Sequence, residues 1–136
     1  YVMGEGNRKL SKRDPEASLD HYRRAGFLPE GLLNYLALLG WSPGEDREFF
    51  SMREMADVFE LSRVNPNPAR FDLKKAEAIN ASHMRLLSID EMTERALPYL
   101  RSAGVVGDPM NAADTTLVTI SARQTCAMRP CSARGT

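Results

Sequence analysis

The segment Leu28–Gly40 has the sequence LPEGLLNYLALLG, and its apolar side chains set the centre of the fold. Pro29 and Glu30 favour a helix start, because proline suits the first helical position and the helix dipole stabilises an early acidic side chain. Gly40 is a typical helix end. Leucine and tyrosine fall on nearly every side of this helix, so we predict that it is the most buried element, with Trp41 packed on the same core.

Two neighbouring helices are predicted from capping residues. Before the central segment, Asp14-Pro15-Glu16 predicts a helix start, with Asp14 as the cap, and Gly26 predicts its end. After it, Ser51 and Glu54 have the spacing of a capping box, which predicts a third helix through about Glu60.

The chain then changes direction before two more predicted helices. Val64-Asn65-Pro66-Asn67-Pro68 forbids helix and predicts an extended or turning connector. Asp72 can cap a fourth helix that runs towards Met84. The capping box of Ser88 and Glu91 predicts a fifth helix to about Ser102, in which Pro98 predicts a kink or an early end.

Residues 106–136 lack a helical or strand period, and Leu117-Val118-Thr119-Ile120 is their one β-prone patch. We expect this segment to be irregular and poorly ordered. The predicted fold class is therefore mainly α: a small helical bundle with an N-terminal loop and an irregular C-terminal tail.

The amino-acid composition does not indicate what kind of molecule the protein binds. The chain has 136 residues, and its 18 basic and 18 acidic side chains cancel, so net charge argues neither for nor against nucleic acid. No apolar run approaches the length needed to cross a bilayer, and no signal peptide is recognised. Cys126 and Cys131 lack a second pair of metal ligands, so no metal site is predicted. A cytoplasmic protein is the default expectation.

The N-terminal loop has the chemistry of a phosphate site. Gly4 and Gly6 let backbone amides approach a ligand, and Lys9 and Lys12 can share one side of a turn. Two ammonium groups beside free amides suit a polyphosphate, although a solvated basic loop would have the same pattern.

Three blocks of sequence point to one family. KLSKR at 9–13 resembles the KMSKS signature of class I aminoacyl-tRNA synthetases. Together with GFLPEGLLNYLALLGWS at 26–42 and FDLKKAEAINASHM at 71–84, it resembles the bacterial glutamyl-tRNA synthetases from their signature loop into their tRNA stem-contact region. The resemblance covers roughly residues 1–105.

The resemblance implies an ATP-dependent ligase that activates glutamate and transfers it to tRNA(Glu). Lys9 and Lys12 would be catalytic, holding the departing pyrophosphate, with Lys12 the stronger candidate. Ser11 would position the loop, and Arg13, which replaces the final serine of the signature, would join the ATP site. ATP would enter with Mg²⁺ as a substrate, with no metal bound by this chain.

The family pattern also implies contacts to the tRNA stem through phosphate and 2′-hydroxyl groups. The candidates are Arg70, Lys74, Lys75, Asn80 and His83. A purely structural role is favoured for Phe71, Asp72 and Asn80, as an anchor, a cap and a satisfied polar group. Ala76 and Ala78 depart from the leucine and tryptophan of the pattern, which predicts looser packing.

The expected organisation has three parts: the end of a catalytic domain at 1–14, a helical stem-contact region at 15–105, and an irregular tail at 106–136. The sequence contains no H-x-G-H motif. We therefore expect a piece of a longer ligase, inactive alone and monomeric. The alternatives are a non-catalytic helical RNA-binding or interaction module, or a relative of the glutamyl-queuosine tRNA synthetases.

Overall fold

The computed structural model describes residues 2–4, 8–44, 47–107, 109 and 111–127, the last seven as backbone. The described residues form two compact units, one ending at His83 and the other beginning at Met84. The division falls inside the region 15–105 that was predicted as one part, and the limits at residues 14 and 105 stay predictions. The regular elements, in chain order, are β1 (Val2–Met3), α1 (Leu19–Arg24), α2 (Pro29–Leu38), α3 (Met52–Val58), β2 (Ala69–Arg70), α4 (Leu73–Met84), α5 (Ile89–Ser102) and α6 (Ala112–Ala127). The mainly α prediction is confirmed.

The core of the first unit lies between α2 and α4. Tyr35 of α2 packs with Ala76 and Ile79 of α4, and all three are buried. Phe71, at the entry to α4, meets the Tyr35 ring edge-on with centroids 5.1 Å apart. Ala76 is completely buried, and the two helices approach closely at Gly31, where an added Cβ would lie 2.8 Å from Asn80 Cα.

The central helix is less enclosed than its composition predicts. Leu33 and Leu36 are 48% and 38% exposed, whereas Asn34, which interrupts the apolar run, is completely buried. A helix packed along one side can bury only part of its circumference. The prediction that α2 is the most buried element agrees with its four buried residues out of ten, Gly31, Leu32, Asn34 and Tyr35, although the face of Leu33 and Leu36 is open.

Trp41 is buried just past α2, although the core cluster of Tyr35, Ala76 and Ile79, on which it was predicted to pack, does not include it. Its ring packs perpendicular to Phe50 at a centroid distance of 5.7 Å and against Phe59 at 5.6 Å. The side chain therefore ties the end of α2 to both flanks of α3.

The helix predicted from Asp14 to Gly26 is divided. Pro15–Ala17 form a short 3₁₀ turn, Ser18 is extended, and α1 begins only at Leu19. Asp14 makes no capping bond because its carboxylate binds Arg8 and the Ser11 amide instead. Gly26 does end the helix, with a φ of 83° that favours glycine.

Both predicted capping boxes are present. In α3 the Ser51 hydroxyl accepts from the Glu54 amide, and the Glu54 carboxylate accepts from the Ser51 amide. Ser88 and Glu91 repeat this exchange in α5. Helix α3 ends at Val58, slightly before the predicted limit.

Pro98 does not end its helix early, since α5 continues to Ser102. Proline removes one hydrogen bond to the carbonyl of Glu94, one turn earlier. Both residues are exposed, so water can satisfy that carbonyl.

The prediction of an irregular tail is wrong for residues 112–127, which form α6. Asn111 and Asp114 cap each other: the Asp114 amide donates to Asn111 Oδ1 at 2.9 Å, and the Asn111 amide donates to Asp114 Oδ2 at 3.1 Å. Val118, within the patch that was predicted as β-prone, is buried. Capping and burial thus outweigh the β preference of this short segment. Residues 128–136 lie outside the described part.

None of the helices in the described ranges is both long and apolar enough to cross a membrane.

Candidate functional site

The backbone of the N-terminal loop is fixed on two sides. β1 pairs in parallel with β2, with Val2 opposite Ala69 and Met3 opposite Arg70, and the Phe71 amide donates to the Met3 carbonyl at 2.9 Å. The chain then folds back on β1.

Two hydrogen bonds hold the returning arm. The Leu10 amide donates to the Val2 carbonyl at 2.9 Å, and the Gly4 amide donates to the Arg8 carbonyl at 2.8 Å. Residues 2–4 and 8–10 are therefore the arms of a hairpin whose base is paired with β2. Gly6, predicted to give the loop freedom, lies outside the described residues.

The signature residues divide between core and solvent. Leu10 is half-buried and lines an apolar cavity of about 220 Å³ together with Tyr22 and Phe71. Lys9 and Lys12, on either side of it, are exposed, as is Arg13. The loop thus anchors one leucine inward and presents its ammonium groups to water, where an anionic ligand can reach them.

The carboxylate of Asp14 accepts hydrogen bonds from two earlier residues of the loop. Asp14 Oδ1 accepts from Arg8 Nη2 at 2.8 Å, and Asp14 Oδ2 accepts from the Ser11 amide at 2.7 Å. These bonds, first the one from Arg8, lower the pKa of Asp14 and keep it charged. Ser11 Oγ accepts from the Arg13 amide at 3.3 Å, which continues the turn.

The basic candidates near β2 and α4 have different surroundings. Arg70 and Lys74 are exposed. Lys75 is half-buried, and its Nζ forms an ion pair with Glu48 at 2.5 Å. Arg70 and Lys75 line one open cavity of about 200 Å³, which Asp72 also lines. This cavity therefore carries charges of both signs.

Asn80 and His83 instead lie in the core of the first unit, each 7% exposed. Asn80 Oδ1 accepts from the Leu28 amide at 2.8 Å and so holds the start of α2. His83 Nε2 lies 3.0 Å from Asn34 Oδ1, and burial lowers the pKa of the imidazole. Each side chain has a structural function here, and direct tRNA contact by either stays a prediction.

The structural assignments of Phe71 and Asp72 are confirmed. Phe71 contacts Tyr22 and Tyr35. Asp72 Oδ1 accepts from the Lys75 amide at 3.1 Å, which is a capping bond at the start of α4.

Sequence reasoning missed Asn34. Its Nδ2 donates to the Glu48 carbonyl at 2.9 Å, and its Oδ1 accepts from the Phe50 amide at 3.2 Å as well as facing His83. The available signal was a lone asparagine inside an apolar helix, since a buried amide must satisfy its hydrogen bonds within the fold.

Clusters of three or more His, Cys, Asp or Glu able to hold a metal ion are absent from the part of the chain that the structure describes. Cys126 is described by its backbone alone, and Cys131 lies outside the described residues.

Comparisons with known proteins identify the family of this chain. The profile of the tRNA synthetases class I (E and Q), catalytic domain, matches residues 1–78. The glutamate–tRNA ligase of Nocardioides sp. is 69% identical over 121 residues, which is 89% of this chain and 25% of that protein. The enzyme of Clavibacter sepedonicus is 64% identical over 107 residues, 79% of this chain and 21% of its own length.

Solved structures give the same result. A glutamate tRNA ligase from Elizabethkingia meningosepticum, in complex with its amino acid, has a TM-score of 0.68 at 28% identity and covers 93% of this chain and 28% of its own. The chain thus spans about a quarter of the length of the relatives that it matches. From the profile over residues 1–78 and these relatives, we conclude that the chain belongs to the class I tRNA synthetases of the glutamyl and glutaminyl (E and Q) family.

Proposed function

We propose that this chain contributes the ATP-phosphate loop and tRNA stem contacts to the reaction of a glutamate–tRNA ligase. The observation that carries the proposal is the exposure of two lysines, Lys9 on the hairpin that is fixed to β2, and Lys12 in the turn after it, where Asp14 accepts from the Ser11 amide. The identity of 69% to a glutamate–tRNA ligase over 121 residues supports it.

The first chemical step joins the glutamate carboxylate to the α-phosphate of ATP and releases pyrophosphate. Negative charge grows on the leaving phosphates, and preorganised cations stabilise it. Lys9 and Lys12 would bind these phosphates, with Lys12 in the leading catalytic role, and Arg13 would add a third cation. Ser11 would hold the turn through its bond from the Arg13 amide. ATP would enter with Mg²⁺ as its usual counterion.

The tRNA contacts would use the exposed basic side chains near α4. Arg70 and Lys74 can bind stem phosphates directly, and Lys75 can do so if it exchanges Glu48 for a phosphate. Asn80 and His83 would support these contacts by fixing α4 to α2. The partners are then tRNA(Glu), ATP and, in the complete ligase, glutamate. A cytoplasmic, monomeric protein fits this proposal.

The phosphate function is tested by calorimetry with pyrophosphate and ATP. We expect the chain to bind pyrophosphate, and Lys12→Ala to weaken binding about tenfold or more. Arg53→Ala is the matched control, because it removes one positive charge from an exposed position on α3. Equal losses in both variants would mean that bulk charge, rather than a site, attracts the anion.

A different class of function, a helical RNA-binding module without catalysis, is supported by the exposed Arg70 and Lys74. The pyrophosphate titration separates the two, because both functions expect tRNA to bind, and a tRNA band-shift with a salt titration tests the RNA contacts themselves. In the module, tRNA binds while pyrophosphate does not, and Lys74→Ala lowers the salt slope by about one with Arg53→Ala as the control.

A further inference from the structure

Asp14 occupies an unusual place for an acidic residue. Its carboxylate lies beside a loop that is proposed to bind phosphate, where a negative charge repels the ligand. The side chain is only 16% exposed, and both of its oxygens are engaged with the loop. The expected loss in anion affinity suggests a compensating function for this carboxylate.

The two hydrogen bonds that Asp14 accepts come from residues on either side of Lys9, the first lysine of the signature. Arg8, which precedes Lys9, donates to one oxygen, and the amide of Ser11, which precedes Lys12, donates to the other. The Asp14 amide returns to the Ser11 carbonyl at 3.0 Å. A single carboxylate thus holds the Arg8 guanidinium, next to Lys9, and the Ser11 backbone amide, next to Lys12.

We propose that Asp14 is a positioning residue, which holds the 8–14 loop in the conformation that brings Lys9 and Lys12 to the same pyrophosphate. This inference rests on the proposed phosphate function of the loop. The clamp of Arg8 and Asp14 orders the loop before the ligand arrives, so binding does not have to select a minor loop conformation. If the competent conformation fell to about a tenth of the population, affinity would fall about tenfold.

The direction in which pyrophosphate affinity changes when Asp14 is replaced distinguishes a positioning role from a purely electrostatic one. Removing a negative charge near two ammonium groups strengthens anion binding if charge alone matters. Anion binding weakens instead if the bonds of Asp14 to Arg8 and to the Ser11 amide hold the loop in its binding conformation. Asp14→Ala is therefore expected to bind pyrophosphate about tenfold more weakly than the natural sequence, and Asp14→Asn, which keeps an acceptor for the Ser11 amide, to lie between them.

Asp20→Ala is the matched control. Asp20 also forms an ion pair with an arginine, Arg24, at 2.7 Å, and it lies on α1 rather than in the loop. The control makes the same change in net charge, so we expect its pyrophosphate affinity to stay within about twofold or to rise slightly.

Calorimetry with pyrophosphate is combined with hydrogen exchange at the Ser11 amide, which should accelerate in Asp14→Ala and not in Asp20→Ala. Thermal melts establish that each variant is folded at the temperature of the titration. If Asp14→Ala is unfolded there, the sign of the affinity change in Asp14→Asn decides between positioning and electrostatics.

The outcomes have distinct meanings. A natural chain that binds pyrophosphate, with unchanged or tighter binding in Asp14→Ala or Asp14→Asn, overturns the positioning role alone. A natural chain that binds no pyrophosphate overturns the proposed phosphate function, and this inference with it. Weaker binding in the Asp14 variants, with faster exchange at Ser11 and an unaffected control, supports both.

Discussion

Asn34 Oδ1 lies 3.0 Å from His83 Nε2, which joins the middle of α2 to the last turn of α4 inside the core. The same oxygen accepts from the Phe50 amide, so it is an acceptor towards both neighbours. His83 must therefore carry its proton on Nε2. The buried side-chain amide of Asn34 thus connects α2 with residues 48–50 and with α4.

Asn34→Leu should destabilise the first unit by about 3 kcal/mol, because the Glu48 carbonyl, the Phe50 amide and His83 Nε2 lose their partner in a buried site. Urea unfolding followed by circular dichroism measures the change. Asn67→Ala, at an exposed position, should stay within about 0.5 kcal/mol. A similar loss in both variants would contradict a special role for Asn34.

Stability should fall as the solution is acidified below about pH 6.5. Burial lowers the pKa of His83 from its ordinary 6.5, and Glu30 opposes this only in part. Between the folded and unfolded pKa values the unfolded chain binds more protons, so stability is lost as pH falls through this window, by at most about 1.4 kcal/mol per pH unit.

His83→Gln should remove this part of the pH dependence, as measured by urea midpoints between pH 7.5 and 5.5. His21→Gln, on the exposed face of α1, should keep it. If the natural protein and both variants gave parallel curves, His83 would not be the titrating group.

Gly31→Ala should destabilise the protein by roughly 2 kcal/mol, despite the better helix propensity of alanine. A Cβ at position 31 would lie 2.6 Å from Asn80 Oδ1 and 2.8 Å from Asn80 Cα, so the helices would have to separate. The oxygen that it displaces is the acceptor for the Leu28 amide.

Thermal melts compare this variant with Gly40→Ala, where the nearest atom to a new Cβ is the Asn65 carbonyl oxygen at 3.8 Å. We expect that control to change stability by less than about 0.5 kcal/mol. Tolerance of alanine at both positions would show that α2 and α4 are further apart than the structure has them.

Asn111→Ala should weaken α6 by about 1 kcal/mol, since it removes the acceptor for the Asp114 amide at the first turn. The expected signal is a loss of ellipticity at 222 nm together with faster amide exchange at the start of α6. Thr116→Ala should act in the opposite direction by a few tenths of a kcal/mol, because the Thr116 hydroxyl bonds back to the Ala112 carbonyl in mid-helix. Equal rates of amide exchange at the start of α6 in Asn111→Ala and Thr116→Ala would contradict the capping role of Asn111.

Features that depend on local rules are predictable from the sequence. The exchange between Ser51 and Glu54, the end of α1 at Gly26 and the exposure of Lys9 and Lys12 all follow from residues close together in the chain. Three long helices, α2, α4 and α5, lie where their caps and apolar periods predict them, because the two signals agree.

Predictions from sequence fail where a polar side chain has several possible hydrogen-bond partners. The sequence pattern predicts Asp14 as a helix cap, yet its carboxylate is better satisfied by Arg8 and the Ser11 amide. The burial of His83 beside Asn34, 49 residues away, was likewise not predicted, while the structural role of Asn80 was, and tRNA contact by either residue stays a prediction. A single sequence does not specify which of several nearby groups a polar side chain will meet.

The parallel pairing of Val2 with Ala69 has a consequence for folding order. Its two strands, β1 and β2, are separated in the sequence by α1, α2 and α3, so closing this contact requires ordering a long intervening stretch of chain. We therefore expect the hairpin of residues 2–4 and 8–10 to form only after the intervening α1 to α3 are in place, and to be among the first parts to open when the native protein fluctuates. The geometry of the proposed phosphate loop is thus expected to be a late product of folding.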